Sequence, residues 1–165
     1  MNEVNGQHQK KVDQSGSLFA LVVLFTLSSC SAVQRPEPPV AVFPSGAVFR
    51  LEIAADDPSR ARGYMFREQV AADEGMLFVF NAPERHSFWM KNCIVNLDII
   101  WIDEDRRVVE IAHDQPPCPA EGTCPDIFPM RSASYVLEVA GGTSRREGLS
   151  LGDPVALYLE QSNGD

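Results

Sequence analysis

Clustered positive charge is missing from this chain. Lysine and arginine total 14 against 23 aspartates and glutamates, for a formal net charge of −9. Phosphate backbones are held by grouped cations, so a nucleic-acid partner is not expected, and the charge argues chiefly for solubility. Long apolar runs are scarce too: the one that stands out, Leu18–Leu27 (LFALVVLFTL), has ten residues, whereas a spanning helix needs about 20. No internal repeat is visible. No His-x-His or Met-x-x-Met cluster occurs, and the cysteines lack the spacing of a zinc site, so no metal and no cofactor is implied.

What the apolar run does have is context. Lys10 and Lys11 precede it, and Leu27-Ser28-Ser29-Cys30 follows it. A basic start and an apolar core of roughly 7 to 15 residues describe an export signal. A branched residue, two small residues and a cysteine form a bacterial lipobox, in which Cys30 is lipidated and becomes the mature N-terminus. The expectation is a lipoprotein signal peptide over 1–29 and a protein anchored to the periplasmic face of a membrane through its lipid. Residues 31–46, SAVQRPEPPVAVFPSG, carry four prolines and read, with Cys30, as a lipid anchor and tether over 30–46 with little order of its own. Removing 1–29 takes away Lys10, Lys11, Glu3 and Asp13 and leaves 12 basic and 21 acidic side chains, still −9.

A single domain is expected over 47–165, a length suited to one core. Ala47–Ala54 alternates Val48, Arg50 and Glu52 with Phe49, Leu51 and Ile53, the period of a half-buried strand. DDPSRARGYMF predicts a short helix, with Pro58 near its start and Gly63 as its stop. GMLFVF reads as a strand buried on both faces, and LDIIWID with RVVEIAH as a hairpin. SYVLEVAGG and GDPVALYLE supply the last strands. The class is mainly β: a sandwich of jelly-roll type or an open barrel of about seven strands, with one or two short helices. In an oxidising compartment Cys118 and Cys124 are expected to close a disulfide, leaving Cys93 over.

The blocks GYM, GMLFVF, SFWMKNC, NLDIIWID, PPC…C, YVLEVAGG and GD follow one another in the order and spacing of the bacterial family "domain of unknown function 192", which this chain resembles from about Phe49 to Leu159. The resemblance implies a jelly-roll-like β-sandwich, often exported or lipid-anchored, and implies no activity. Tyr64 stands where the family usually has leucine. Cys93 stands where it usually has threonine.

Four polar residues interrupt the apolar stretch SFWMKNCIVNLDIIWID. Period two sets His86, Phe88, Met90 and Asn92 on one face and Ser87, Trp89, Lys91 and Cys93 on the other. Asp98 lies among aliphatics, where an unpaired carboxylate is costly, so it needs a partner. Lys91, Asn92, Arg60 and Arg62 are candidates, as are the backbone amides of a structural corner. The functional reading is a small-ligand or envelope-component binding module whose pocket is lined by Trp89, Lys91, Asn92 and Asp98. The rival is a hydrolase using Asp98 with Glu138, a second acid in an apolar strand, as general acid and base. Weaker alternatives are a Cys93 nucleophile served by His86 or His113, copper on Met65, Met76, Met90 and Met130 with those histidines, and stacking of Trp89 or Trp101 on a sugar or peptide.

Overall fold

The structure is a computed structural model that describes residues 39–119 and 121–159. The expected signal peptide, the lipidated Cys30 and most of the tether lie outside the described residues. Among those that are described, no helix is long and apolar enough to cross a membrane.

Seven strands form one sheet: β1 (Val40–Val42), β2 (Val48–Ala54), β3 (Glu74–Glu84), β4 (Leu97–Ile102), β5 (Val108–Gln115), β6 (Ala133–Ala140) and β7 (Ala156–Tyr158), in the order β5-β4-β6-β3-β2-β1-β7. Two short helices, α1 (Asp57–Arg62) and α2 (Thr143–Arg146), complete it. The protein is mainly β, and of the two expected arrangements the open barrel is the one found: the sheet curls into a half-barrel, and among the described residues no second sheet is stacked on it. The curl brings the outer strands together. Val108 donates its amide to Asp153 and accepts from Gly152, while Val155 donates to Arg106.

The pairings are antiparallel except β2 with β3, which run parallel. A parallel pair needs a crossover, and α1 with the turns after it provides one. Asp56 caps α1 in a reciprocal capping box with Ser59, and Pro58 occupies its first turn. Gly63 ends the helix at φ 47°, a conformation that disfavours side chains with a Cβ.

Strand alternation loads both faces with apolar side chains. Inside the curl, Phe49, Leu51, Leu77, Ile100, Ile102, Leu137, Val139 and Leu157 pack with Phe43 and Leu149. On the outer face Met76, Phe78, Leu97, Ile99, Trp101 and Val136 are covered by Tyr64, Met90 and Cys93 from the connecting segments. Because each face buries its own core, every polar side chain on β4 or β6 is committed to one face by its register.

Two expectations change. The folded part starts before Ala47: Val40–Val42 pairs with both β2 and β7, so the end of the predicted tether is sheet, with Ala41 buried. The strand read into residues 86–93 is instead an irregular crossing with one bridge, Phe88 to Ile127. Its apolar residues are spent covering the outer face. Cys118 and Cys124 form the expected disulfide, and Cys93 is free and buried.

Candidate functional site

Asp98 and Glu138 occupy neighbouring strands but opposite sides of them. Ile99 pairs with Glu138 and Asp98 with Val139, so the alternation that turns Asp98 to the inside of the curl turns Glu138 outward. They share no cleft, and the acid–base pair is not assembled.

Asp98 is fully buried. Oδ1 accepts from the amides of Asp114 at 2.6 Å and Gly142 at 2.9 Å. Oδ2 accepts from the amide and hydroxyl of Ser144, both at 2.6 Å. The Ser144 hydroxyl, which donates to Asp98, accepts from Nδ1 of His113 at 2.7 Å. Asp98 therefore ties α2 and the end of β5 to β4. None of Lys91, Asn92, Arg60 and Arg62 is its partner; backbone amides are, and the corner is structural.

On the outer face lies a cavity of about 380 Å³, within the range of small-molecule sites. Its lining includes Trp89 and Lys91 but neither Asn92 nor Asp98. Asn92 stands behind the wall at φ 56°: its carbonyl accepts from the amide of Phe66, itself at φ 62°, and its Nδ2 donates to Met65 Sδ at 3.7 Å. Two residues in left-handed backbone thus meet beside the mouth, a conformation that costs energy outside glycine.

The walls are aromatic. Phe80 stacks on His86 with centroids 3.5 Å apart, and Arg60 lies over the Phe80 ring at 5.4 Å. Phe88 meets Phe78 edge-on at 4.8 Å. Arg60 is fixed, donating to the carbonyls of Ala55 and Val79 and to Asp57. Lys91 Nζ sits 5.1 Å from the Trp89 ring centroid, and Trp89 is 43% exposed. Trp101, by contrast, is a core residue whose indole donates to the His86 carbonyl at 2.8 Å.

Glu138 forms the floor, between Met76 and Ile99 in the sheet and beneath Gly63. It is 3% exposed, and its Oε2 has no hydrogen-bond partner. Burial pushes its acid up to about 8, against the opposing pull of Arg67, so at neutral pH it is largely a protonated carboxylic acid. Burial also raises Tyr64 and takes the Cys93 thiol up to about 11, with Glu138 adding to both. A Cys93 thiolate is accordingly scarce near neutrality. Neither histidine serves it: Nε2 of His86 donates to the Ala82 carbonyl and His113 bonds Ser144.

The copper reading gains no geometry. Met76 and Met90 are core side chains and Met130 is exposed. Of the proposed ligands only Met65 and His86 line the cavity. Among the described residues no group of three or more His, Cys, Asp or Glu could hold a metal ion.

Of the four pocket residues expected from the sequence, Trp89 and Lys91 line this cavity. Sequence reasoning assigned Glu138 to a pair that does not exist, and it considered Arg60 and Arg62 only as partners of Asp98. The clue to the arginines was the capped turn DPSRARG, whose glycine stop delivers the next residues over the sheet.

A protein of unknown function from Novosphingobium aromaticivorans DSM 12444 is 37% identical, with a TM-score of 0.65 over 72% of this chain and 83% of that one. A protein from Sinorhizobium meliloti 1021, named a candidate transcription regulator, is 32% identical, with a TM-score of 0.63 over 72% of this chain and 91% of that one. No curated protein matches. The profile of the family DUF192, described as "Uncharacterized ACR", matches residues 40–157, and with the spacing of its motifs and the shared fold this places the chain in that family.

Proposed function

We propose that the protein is a small-ligand binding module of the cell envelope, held on the periplasmic face of a membrane by a lipid on Cys30, and that the cavity of Trp89, Lys91 and Glu138 is its binding site. The observation that carries the reading is Glu138: a buried acid with an unpartnered oxygen, in the lining of a cavity of ligand size. Such an atom costs on the order of 1–3 kcal/mol unless something completes its hydrogen bonding, and a ligand would do so. The net charge of −9 supports a partner other than nucleic acid.

Native mass spectrometry of the full chain, produced in an exporting bacterial host, tests the binding reading. A retained small-molecule increment that disappears in Trp89→Ala supports it; an increment indifferent to Trp89→Ala and Lys91→Ala assigns the ligand elsewhere. The anchor has its own test. Cys30→Ser should abolish incorporation of labelled palmitate and move the protein from the membrane to the soluble fraction, and membrane retention without label would refute lipidation.

A further inference from the structure

The cavity has two chemically different ends. Its floor is Glu138, buried, with one unpartnered oxygen that lies close under the turn at Gly63 and beside Phe78. Its mouth carries Arg62 and Lys91, both exposed. Among the described residues the ion pairs are made by Arg50, Arg60, Arg67 and Arg146, not by these two. The lining holds three cations, Arg60, Arg62 and Lys91, against one exposed carboxylate, Asp126. A local surplus of positive charge on a chain of net −9 marks this cavity off from the rest of the molecule. Between the two ends stand the rings of Phe88 and Trp89, with Phe80 beside them already stacked on His86.

Resting on the binding reading above, we propose that the cavity takes a small ring-bearing organic anion, its anionic group outward at Arg62 and Lys91 and a neutral hydrogen-bond acceptor inward at Glu138. The rings fill the aromatic middle, where a planar ligand stacks without demanding a fixed partner. Outward, the anion meets cations not already claimed by carboxylates. Inward, Glu138 in its acid form donates a hydrogen bond to a carbonyl or ether oxygen, an atom that an ionised carboxylate would repel. The groups facing Glu138 are Tyr64, Cys93 and Arg67, with Met76 and Ile99 from the neighbouring strands. Tyr64 and Cys93 stay protonated near neutrality and Arg67 is paired with Glu52. Among the groups around the floor, Glu138 is thus the one that changes charge between about pH 6 and pH 9.

The test uses four probes of one shape: 4-acetylbenzoate, its neutral amide, 4-acetylbenzylamine, and 4-isopropylbenzoate, which keeps the anion and lacks the acceptor. Each is titrated into the full-length chain while the two indole N–H resonances are followed by NMR. Trp89 lines the cavity and Trp101, bonded to His86, is the internal reference. At about pH 6, 4-acetylbenzoate should move Trp89 and bind about tenfold more tightly than the amide or the amine, and about threefold more tightly than 4-isopropylbenzoate. Its affinity should fall at least threefold or so by about pH 9 in the wild type, as Glu138 ionises. In Glu138→Gln, which keeps a donor and cannot ionise, it should stay level. Equal affinities for the three charge types, or a preference for the amine, would overturn the anion while leaving the cavity a binding site. The same pH dependence in Glu138→Gln as in the wild type would overturn the inward acceptor. If no probe moves Trp89, the binding reading and this inference fall together.

Discussion

Two carboxylates one register step apart have opposite fates. Asp98 and Glu138 both sit in central strands between aliphatic neighbours, and both are almost wholly removed from water. Asp98 accepts four hydrogen bonds, three of them from backbone amides. Glu138 keeps an oxygen with none. The difference comes from what the chain lays over each face. Inside the curl, the Gly141–Gly142 turn and the first turn of α2 bring their amides to Asp98. Gly141 has no room for a side chain there, since a Cβ would collide with Asp114 Oδ1 and fall 2.7 Å from Asn96 Cβ. Over Glu138 the cover is Gly63, Tyr64 and aromatic rings, which bring no hydrogen-bond donor to Oε2. A buried charge is tolerated when backbone surrounds it, and a buried acid is left reactive to its surroundings when side chains of the wrong kind do.

The comparison breaks most sharply at Asp98. Asp98→Ala leaves three amides without an acceptor and should cost about 4 kcal/mol, measured by urea unfolding, with a melting temperature lower by roughly 15 °C. Survival of Asp98→Ala within about 1 kcal/mol of wild type would remove the structural role assigned to it.

Glu138 should behave in the reverse sense. In the unfolded chain it titrates near 4.5 and in the fold near 8. The fold holds the proton more tightly, so the contribution is full below about pH 4.5 and is lost as pH rises toward about 8, at up to roughly 1.4 kcal/mol per pH unit. Glu138→Gln should therefore be more stable than wild type above neutrality, by about 2 kcal/mol, with the two converging in acid. Chemical denaturation at several pH values checks the convergence, and parallel curves would show that Glu138 is not the titrating group.

Ser144→Ala sharpens the contrast at smaller scale. It removes the hydroxyl link between Asp98 and His113 but keeps the Ser144 amide, so a loss of about 1.5 kcal/mol is expected in the same unfolding assay. The smallest effect belongs to the cavity mouth. Lys91→Ala should change stability by less than about 0.5 kcal/mol, because the side chain is exposed and its ammonium is held by one ring face.

Alternation made most of the sheet legible. Together with the apolar runs it located six of the seven strands to within a few residues at each end, and it put Glu138 with Val136 and away from Leu137, as observed. That Asp98 required a partner also followed from its aliphatic setting. The identity of the partner did not, because Gly142 and Ser144 lie more than forty residues further along the chain and offer their amides only once the sheet has closed. β1 was hidden by the prolines around it: Val40–Val42 is three residues long and buries one side chain, too little for periodicity to register. The crossing at 86–93 misled in the other direction. Its residues alternate well, but it has one bridge and no ladder, and its apolar residues lie over a sheet instead of in one. The capped turn DPSRARG announced the helix that carries the cavity arginines, but not where they end up, because α1 supplies them across a parallel crossover, a relation between elements and not a pattern within one.

The meeting of the outer strands carries a consequence for the molecule among its own copies. An open curled sheet ends in two rows of unused amides and carbonyls, and such rows recruit other chains. Here β5 and β7 begin by spending theirs on each other through Arg106, Val108, Asp153 and Val155. Arg106 adds a side-chain bond to the Leu157 carbonyl at 2.6 Å, and Pro154 removes a donor at the bridge itself. β7 is three residues long, so little ladder remains beyond the seam. Among the described residues the half-barrel consequently offers a neighbouring copy few sites for strand addition where its edges meet.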